Sequence, residues 1–139
     1  MLVVVAGAEV SGADWPQWRG PARDGMSKET GLLKAWPADG PKLMWQVEDL
    51  GGGYSTPSVA GGRLYVMSNK GVEEESVLAL EAKDGKKVWS TRVGKVGNPE
   101  QRPSYPAARS TPTVDGTRVY VRNKESLWCY DIRDAAAGK

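Results

Sequence analysis

Side chains able to do covalent or acid–base chemistry are sparse in this chain. Its 139 residues include no histidine, which removes the commonest general base and metal ligand. The one cysteine, Cys129, cannot form an internal disulfide. Its place in the apolar run Leu127-Trp128-Cys129-Tyr130 reads as a small buried hydrophobe. Glu73-Glu74-Glu75 reads as a solvated turn. Gly51-Gly52-Gly53 lacks the strand-to-helix context of a phosphate loop and reads as a flexible lead-in. No catalytic residue and no metal ligand is therefore assigned. What remains is the chemistry of recognition. Tyr54 and Arg109 hold equivalent places before two Ser-Thr-Pro strands, and a guanidinium fork there suits an anionic group. Bonding to loop carbonyls is the plainer use of Arg109. These two are the candidate binding residues. Trp15 and Trp18 flank Pro16 beside Arg19, so guanidinium–indole stacking and a sugar platform are conceivable. Packing over a hydrophobic edge is the plainer use of such rings.

The elements that must position these groups are all strands. Residues 56–60, 63–67, 77–81 and 87–92 read as four short strands. They are joined by Gly61-Gly62, a polar tip over 68–76, and Asp84-Gly85, and such two-residue connections favour hairpins. The second and third, LYVM and VLAL, are apolar on both faces, as in a sheet covered on both sides. Every connection is too short for a crossover helix. A four-stranded antiparallel sheet with others stacked on both faces is a propeller blade.

A second copy follows. STPTVDGTRVYV at 110–121 repeats STPSVAGGRLYV at 55–66 without a gap, and LWCYD at 127–131 takes the place of VLALE at 77–81. Self-similarity at such a period marks a propeller or a solenoid, and the hairpin-rich strands favour the propeller. The stretch KLMWQV at 42–47 matches KKVWST at 86–91 and reads as an orphan fourth strand, one that would complete the last blade of a closed ring. The fold class is thus all-β, a partial β-propeller: one complete blade, one incomplete blade and one closing strand.

The expected divisions are a clipped signal peptide or disordered tail over 1–13 and a propeller part over 14–139. The latter comprises a lead-in at 14–41, the closing strand at 42–50, a blade at 54–94 and a partial blade at 109–139. Residues 30–36 could form one helical turn or a loop before Pro37. Closed propellers need about four to eight blades, so the chain reads as the N-terminal piece of a longer protein. The apolar start LVVVAGA is too short to span a membrane and resembles the end of a secretory signal, which places the protein in the periplasm or outside the cell. Net charge is +2, with five basic and seven acidic residues over 1–62 and fourteen and ten over 63–139. Neither part has the clustered basic face of a nucleic-acid binder.

At Ala82-Lys83-Asp84-Gly85-Lys86-Lys87-Val88-Trp89 the chain resembles the A-x-x-G-K-x-x-W docking motif of pyrroloquinoline quinone-like (PQQ-like) propeller repeats. In that family a tryptophan of one blade packs on the glycine turn of a neighbour. The resemblance thus implies docking roles for Gly85 and Trp89, and for Trp45 as a variant with Gly40 further back. Gly138-Lys139 looks like the start of another copy. DWPQWRGPARDG at 14–25, followed by STPSVAGGRLYV, is similar to a group of exported bacterial repeat proteins of this kind. The family includes quinoprotein dehydrogenases and non-enzymatic members such as the outer-membrane assembly lipoprotein. The enzymes use a cysteine pair beside the quinone, a stacking tryptophan and calcium ligands, and no such cluster stands in this chain.

Two functions follow as expectations. The first is a non-catalytic binding scaffold presenting loops to a protein or an extracellular small ligand, with no cofactor evident and the remaining blades of a longer chain as its neighbours. The second is the N-terminal fragment of a PQQ-dependent oxidoreductase, with pyrroloquinoline quinone and calcium as cofactors. A carbohydrate-binding module built on Trp15 and Trp18 is a distant third. Fold alone does not choose among them.

Overall fold

The computed structural model describes residues 12–96 and 107–133, and every regular element among them is a β-strand. Strands β1 (Ser58–Ala60), β2 (Arg63–Lys70), β3 (Glu74–Glu81) and β4 (Lys87–Gly94) form one antiparallel sheet in sequence order. Strands β5 (Thr113–Asp115), β6 (Arg118–Arg122) and β7 (Leu127–Asp131) form a second. The turn between β1 and β2 places Gly61 at φ 58° and Gly62 at φ 73°, and the mirror-image hairpin turn demands this of both its central residues.

Register decides which side chains meet. Tyr65 lies opposite Ala79, Met67 opposite Val77, and Ala79 opposite Trp89. Since side chains alternate along a strand, these residues share one face of the first sheet. That face packs on Val114, Val119 and Val121 of the second sheet, with Val93 and Ala108 completing a common core. The other face bears Leu78 and Leu80, also buried. Residues 45–52 cross it: Trp45 and Val47 lie beside Gly85, Leu50 and Leu78 line one small cavity, and Gly52 pairs antiparallel with Asn69. The first sheet is therefore covered on both faces, as its doubly apolar strands require.

Four expectations need correction. Residues 42–47 form no strand, because a strand needs a ladder partner and the described residues offer this segment none. The tip between β2 and β3 is shorter than 68–76, since the ladder continues to the Lys70–Glu74 pair. Of the three glutamates in that run, Glu75 is buried in β3 and not solvated, because it faces the same side as Asn69 and Val77. Cys129 is exposed, because it projects from the face of the second sheet that points away from the first. Residues 30–36 form a loop with no helical turn.

Burial of Glu75 has a pH consequence. Loss of water around its carboxyl raises its pKa above the ordinary 4.5. The folded state therefore holds a proton more readily than the unfolded chain does. The ionised carboxylate costs stability at neutral pH, and that cost fades as pH falls through the raised value and is gone below 4.5. Glu75→Gln should raise the melting temperature at pH 7, and the gain should shrink steadily toward pH 4. A variant melting below the parent at pH 7 would show that the carboxylate is stabilised where it sits.

Candidate functional site

The two Ser-Thr-Pro segments run side by side, and their side chains tie the sheets together. Ser55 Oγ donates to the Ser110 carbonyl at 2.7 Å and accepts from the Met67 amide at 3.1 Å. Buried Ser58 donates from its hydroxyl to the Pro112 carbonyl. One residue before the first Ser-Thr-Pro, the Tyr54 amide donates to the Ala108 carbonyl at 2.7 Å. The backbones of Tyr54 and of the residue preceding Arg109 are thus joined, and both candidate binding residues lie where the chain enters its inner strands. Tyr54 is 71% exposed and Arg109 is exposed.

Asn69 anchors this end, and no sequence pattern pointed to it. Its backbone exchanges two bonds with Gly52, at 2.8 and 2.9 Å. Its side-chain Oδ1 accepts from the Ala108 amide at 2.9 Å, and its Nδ2 donates to the Gly71 carbonyl at 2.7 Å. One buried residue thereby joins the triglycine segment, the β2–β3 tip and the segment that leads to Arg109. The triglycine is pinned, not flexible: a Cβ on Gly51 would lie 2.8 Å from the Asn69 carbonyl oxygen. Asn123 makes the reciprocal link. Its Nδ2 donates to the Val93 carbonyl at 3.1 Å while its Oδ1 caps the amides of Glu125 and Ser126.

At the opposite end of the strands, a cleft of about 840 Å3 opens between the sheets, with Arg63, Glu81, Asp115, Thr117 and Arg133 on its walls. Its charges are of both signs. Arg133 is already joined to Asp131, whose carboxyl this bonding holds down at about 2. No group of three possible metal ligands exists among the described residues. The cleft can hold a polar segment, but it presents no arranged nucleophile and base.

Trp45 and Gly85 meet. The Trp45 indole N–H donates to the Ala82 carbonyl at 3.1 Å, and the ring lies against Gly85. Gly85 has φ 72°, and a Cβ there would sit 2.8 Å from the Trp45 ring. Both backbone shape and space therefore call for glycine. Asp84 accepts from the Lys86 amide, which lowers its pKa and fixes the turn. Trp89 lies elsewhere. It is half-buried on the face shared with Tyr65, ring centroids 6.1 Å apart and tilted by 50°. The turn at 135–139, which the repeat assigns to it, lies outside the described residues.

In the lead-in, the Arg19 guanidinium stands 5.9 Å from the Trp18 ring centroid, within cation–π reach. Trp15 is engaged by other partners. Its ring covers Gly20 and its backbone pairs with Val59. The two indoles therefore do not make one platform.

Gly85→Ala tests the turn. Forcing a side chain into left-handed backbone under an indole should cost about 1–3 kcal/mol and shift Trp45 fluorescence to the red. A variant with unchanged stability and emission would mean that the turn yields freely.

Four- and three-stranded antiparallel sheets stacked face to face, each built on the same repeat, define a repeat protein of the β-propeller class. The chain belongs to the PQQ-like repeat family: the family model described as outer membrane protein assembly factor BamB matches residues 7–137. No curated protein and no solved structure matches the chain. No helix among the described residues is long and apolar enough to cross a membrane.

Proposed function

We propose that this chain forms part of the wall of a non-catalytic binding propeller. The end where Tyr54 and Arg109 emerge would receive a protein segment or an extracellular ligand with an anionic group. The observation that carries this reading is the bond from the Tyr54 amide to the Ala108 carbonyl, backed by Ser55, Ser58 and Asn69. It sets an exposed phenol and a guanidinium on neighbouring, rigidly held backbones. An aromatic ring and an arginine on a fixed base are the side chains that recognition favours. The docking roles of Trp45, Gly85 and Trp89 belong to the same reading: an indole over a neighbour's glycine turn keeps the blades in step. The family description, an outer membrane protein assembly factor, supports a place outside the cytoplasm and protein partners.

The test has two arms. Acidic and neutral peptide libraries are screened for binders, and each binder's affinity should fall at least tenfold with Arg109→Ala or Tyr54→Ala but not with Trp18→Ala. In the second arm, pyrroloquinoline quinone with calcium should leave dye reduction at background with alcohols and sugars. Turnover there would replace this reading with the oxidoreductase.

A further inference from the structure

Strand β1 ends the first sheet and pairs with β2 along one side; β5 ends the second and pairs with β6. Their other edges come together, since Ser58 of β1 donates to the Pro112 carbonyl just before β5. A sheet edge carries amides and carbonyls that form a template for any extended chain. Here residues 14–16 fill it. Trp15 exchanges two backbone bonds with Val59, its amide donating at 2.7 Å and its carbonyl accepting at 2.9 Å. One residue on, the Pro16 carbonyl accepts from the Val114 amide of the second sheet at 2.7 Å. The Asp14 carboxylate accepts from the Gly61 amide at 3.1 Å. Three consecutive residues thus strap both sheets at once.

The strap is held chiefly by its backbone and one carboxylate. The Trp15 ring packs on Gly20 of its own loop. Gly20 is the one buried residue over 12–50, and no residue of that span belongs to the apolar core between the sheets. A segment with few buried apolar contacts, held by hydrogen bonds at an edge, is the kind that opens without global unfolding. When it opens, the Val59 and Val114 amides lose their acceptors and the edge becomes a template again.

We propose that the facing edges of β1 and β5 are an acceptor site for an extended segment of another protein, kept closed by residues 14–16 as a resident strap. The recognition is strand addition, in which backbone bonds give affinity and side chains give selectivity. The bonds the strap makes define the chemistry of its replacement. An acidic residue meets the Gly61 amide, the next residue pairs its backbone with Val59, and the one after offers a carbonyl to Val114. The strap is tethered and so competes at an effective concentration on the order of millimolar. An incoming segment is therefore excluded until the strap lets go. This site uses neither Tyr54 nor Arg109 and stands whether or not those residues bind a ligand.

The test uses the full 139-residue chain and, as the external segment, a fluorescent peptide of residues 12–25, GADWPQWRGPARDG. Hydrogen–deuterium exchange of the parent needs no variant: the Trp15, Val59 and Val114 amides should open together, at least tenfold faster than those of β2 and β3. Trp15→Pro removes the amide that bonds Val59 and should release the strap while leaving the far-ultraviolet strand signal in place. The peptide should bind that variant at least tenfold more tightly than the parent, slow exchange at Val59 and Val114, and ignore Arg109→Ala. The same peptide carrying Trp15→Pro should bind neither chain. Where Trp15→Pro costs the strand signal, Asp14→Ala, which removes the carboxylate alone, takes its place. Strap amides that exchange only together with β2 and β3 overturn the inference. So does a peptide that binds neither chain or both alike, one that leaves Val59 exchange unchanged, or loss of strand signal in both variants. Binding that is lost with Arg109→Ala belongs to the Tyr54 and Arg109 end and overturns it too.

Discussion

Tyr65→Ala should be the most damaging single truncation in this chain. Tyr65 is 1% exposed, the largest of the fully buried side chains, and it sits where the two sheets and Trp89 converge. Removing it deletes an aromatic ring from the common core and leaves a hole that three strands must shrink to fill. Losses of about 3–5 kcal/mol accompany such truncations, and a domain of this size has about 5–15 kcal/mol in all. The expected result is a chain that is partly unfolded at 37 °C, with thermal melting tens of degrees lower or too broad to fit. Tyr65→Phe separates ring from hydroxyl and should stay within about 1.5 kcal/mol of the parent. Equal melting of Tyr65→Ala and the parent in denaturant titrations would mean that the sheets do not share a core.

Asn69→Ala comes second, for a different physical reason. Its side chain contributes little apolar area, but it satisfies the buried Ala108 amide and also holds the Gly71 carbonyl at the hairpin tip. Truncation leaves the buried Ala108 amide without a partner, at about 1–3 kcal/mol, while the carbonyl of exposed Gly71 can turn to water. The damage should also be local. Residues that lead to Arg109 lose their tie to the first sheet, and their amides should exchange faster while β3 stays protected. Asn69→Asp keeps the acceptor but loses the donor, and should fall between parent and alanine. An alanine variant with parental exchange near Ala108 would remove Asn69 from its anchoring role.

Much of the architecture was legible because turn chemistry and side-chain alternation are local signals. Gly61-Gly62 and Asp84-Gly85 each mark a hairpin, and the doubly apolar LYVM and VLAL runs call for cover on both faces, which the fold supplies. Residues 42–47 misled because strand pattern is a property of the segment whereas a strand is a property of a pair. The sequence match to β4 is real, but no partner edge lies within reach. Cys129 failed for a related reason: an apolar run tells that a face can be buried, and only the neighbouring sheet decides whether it is. Glu75 and Asn69 were hidden for another reason still. A glutamate in an acidic run, or an asparagine near a glycine, looks like any surface turn until register places it opposite the core. Of the candidate site, Tyr54 and Arg109 came from repeat equivalence, while the bonds that hold their backbones together came only from the fold.

The central claim is that the two sheets form one packed unit, with β6 as firmly held as β2 and β3. Hydrogen–deuterium exchange of the parent chain tests it most directly, read strand by strand under native conditions. The account predicts that amides of β2, β3 and β6 open together, with one shared free energy, and that the Ala108 amide is slowed with them. Exchange of β5–β7 at the rate of an unfolded peptide, while β1–β4 remain protected, would contradict it.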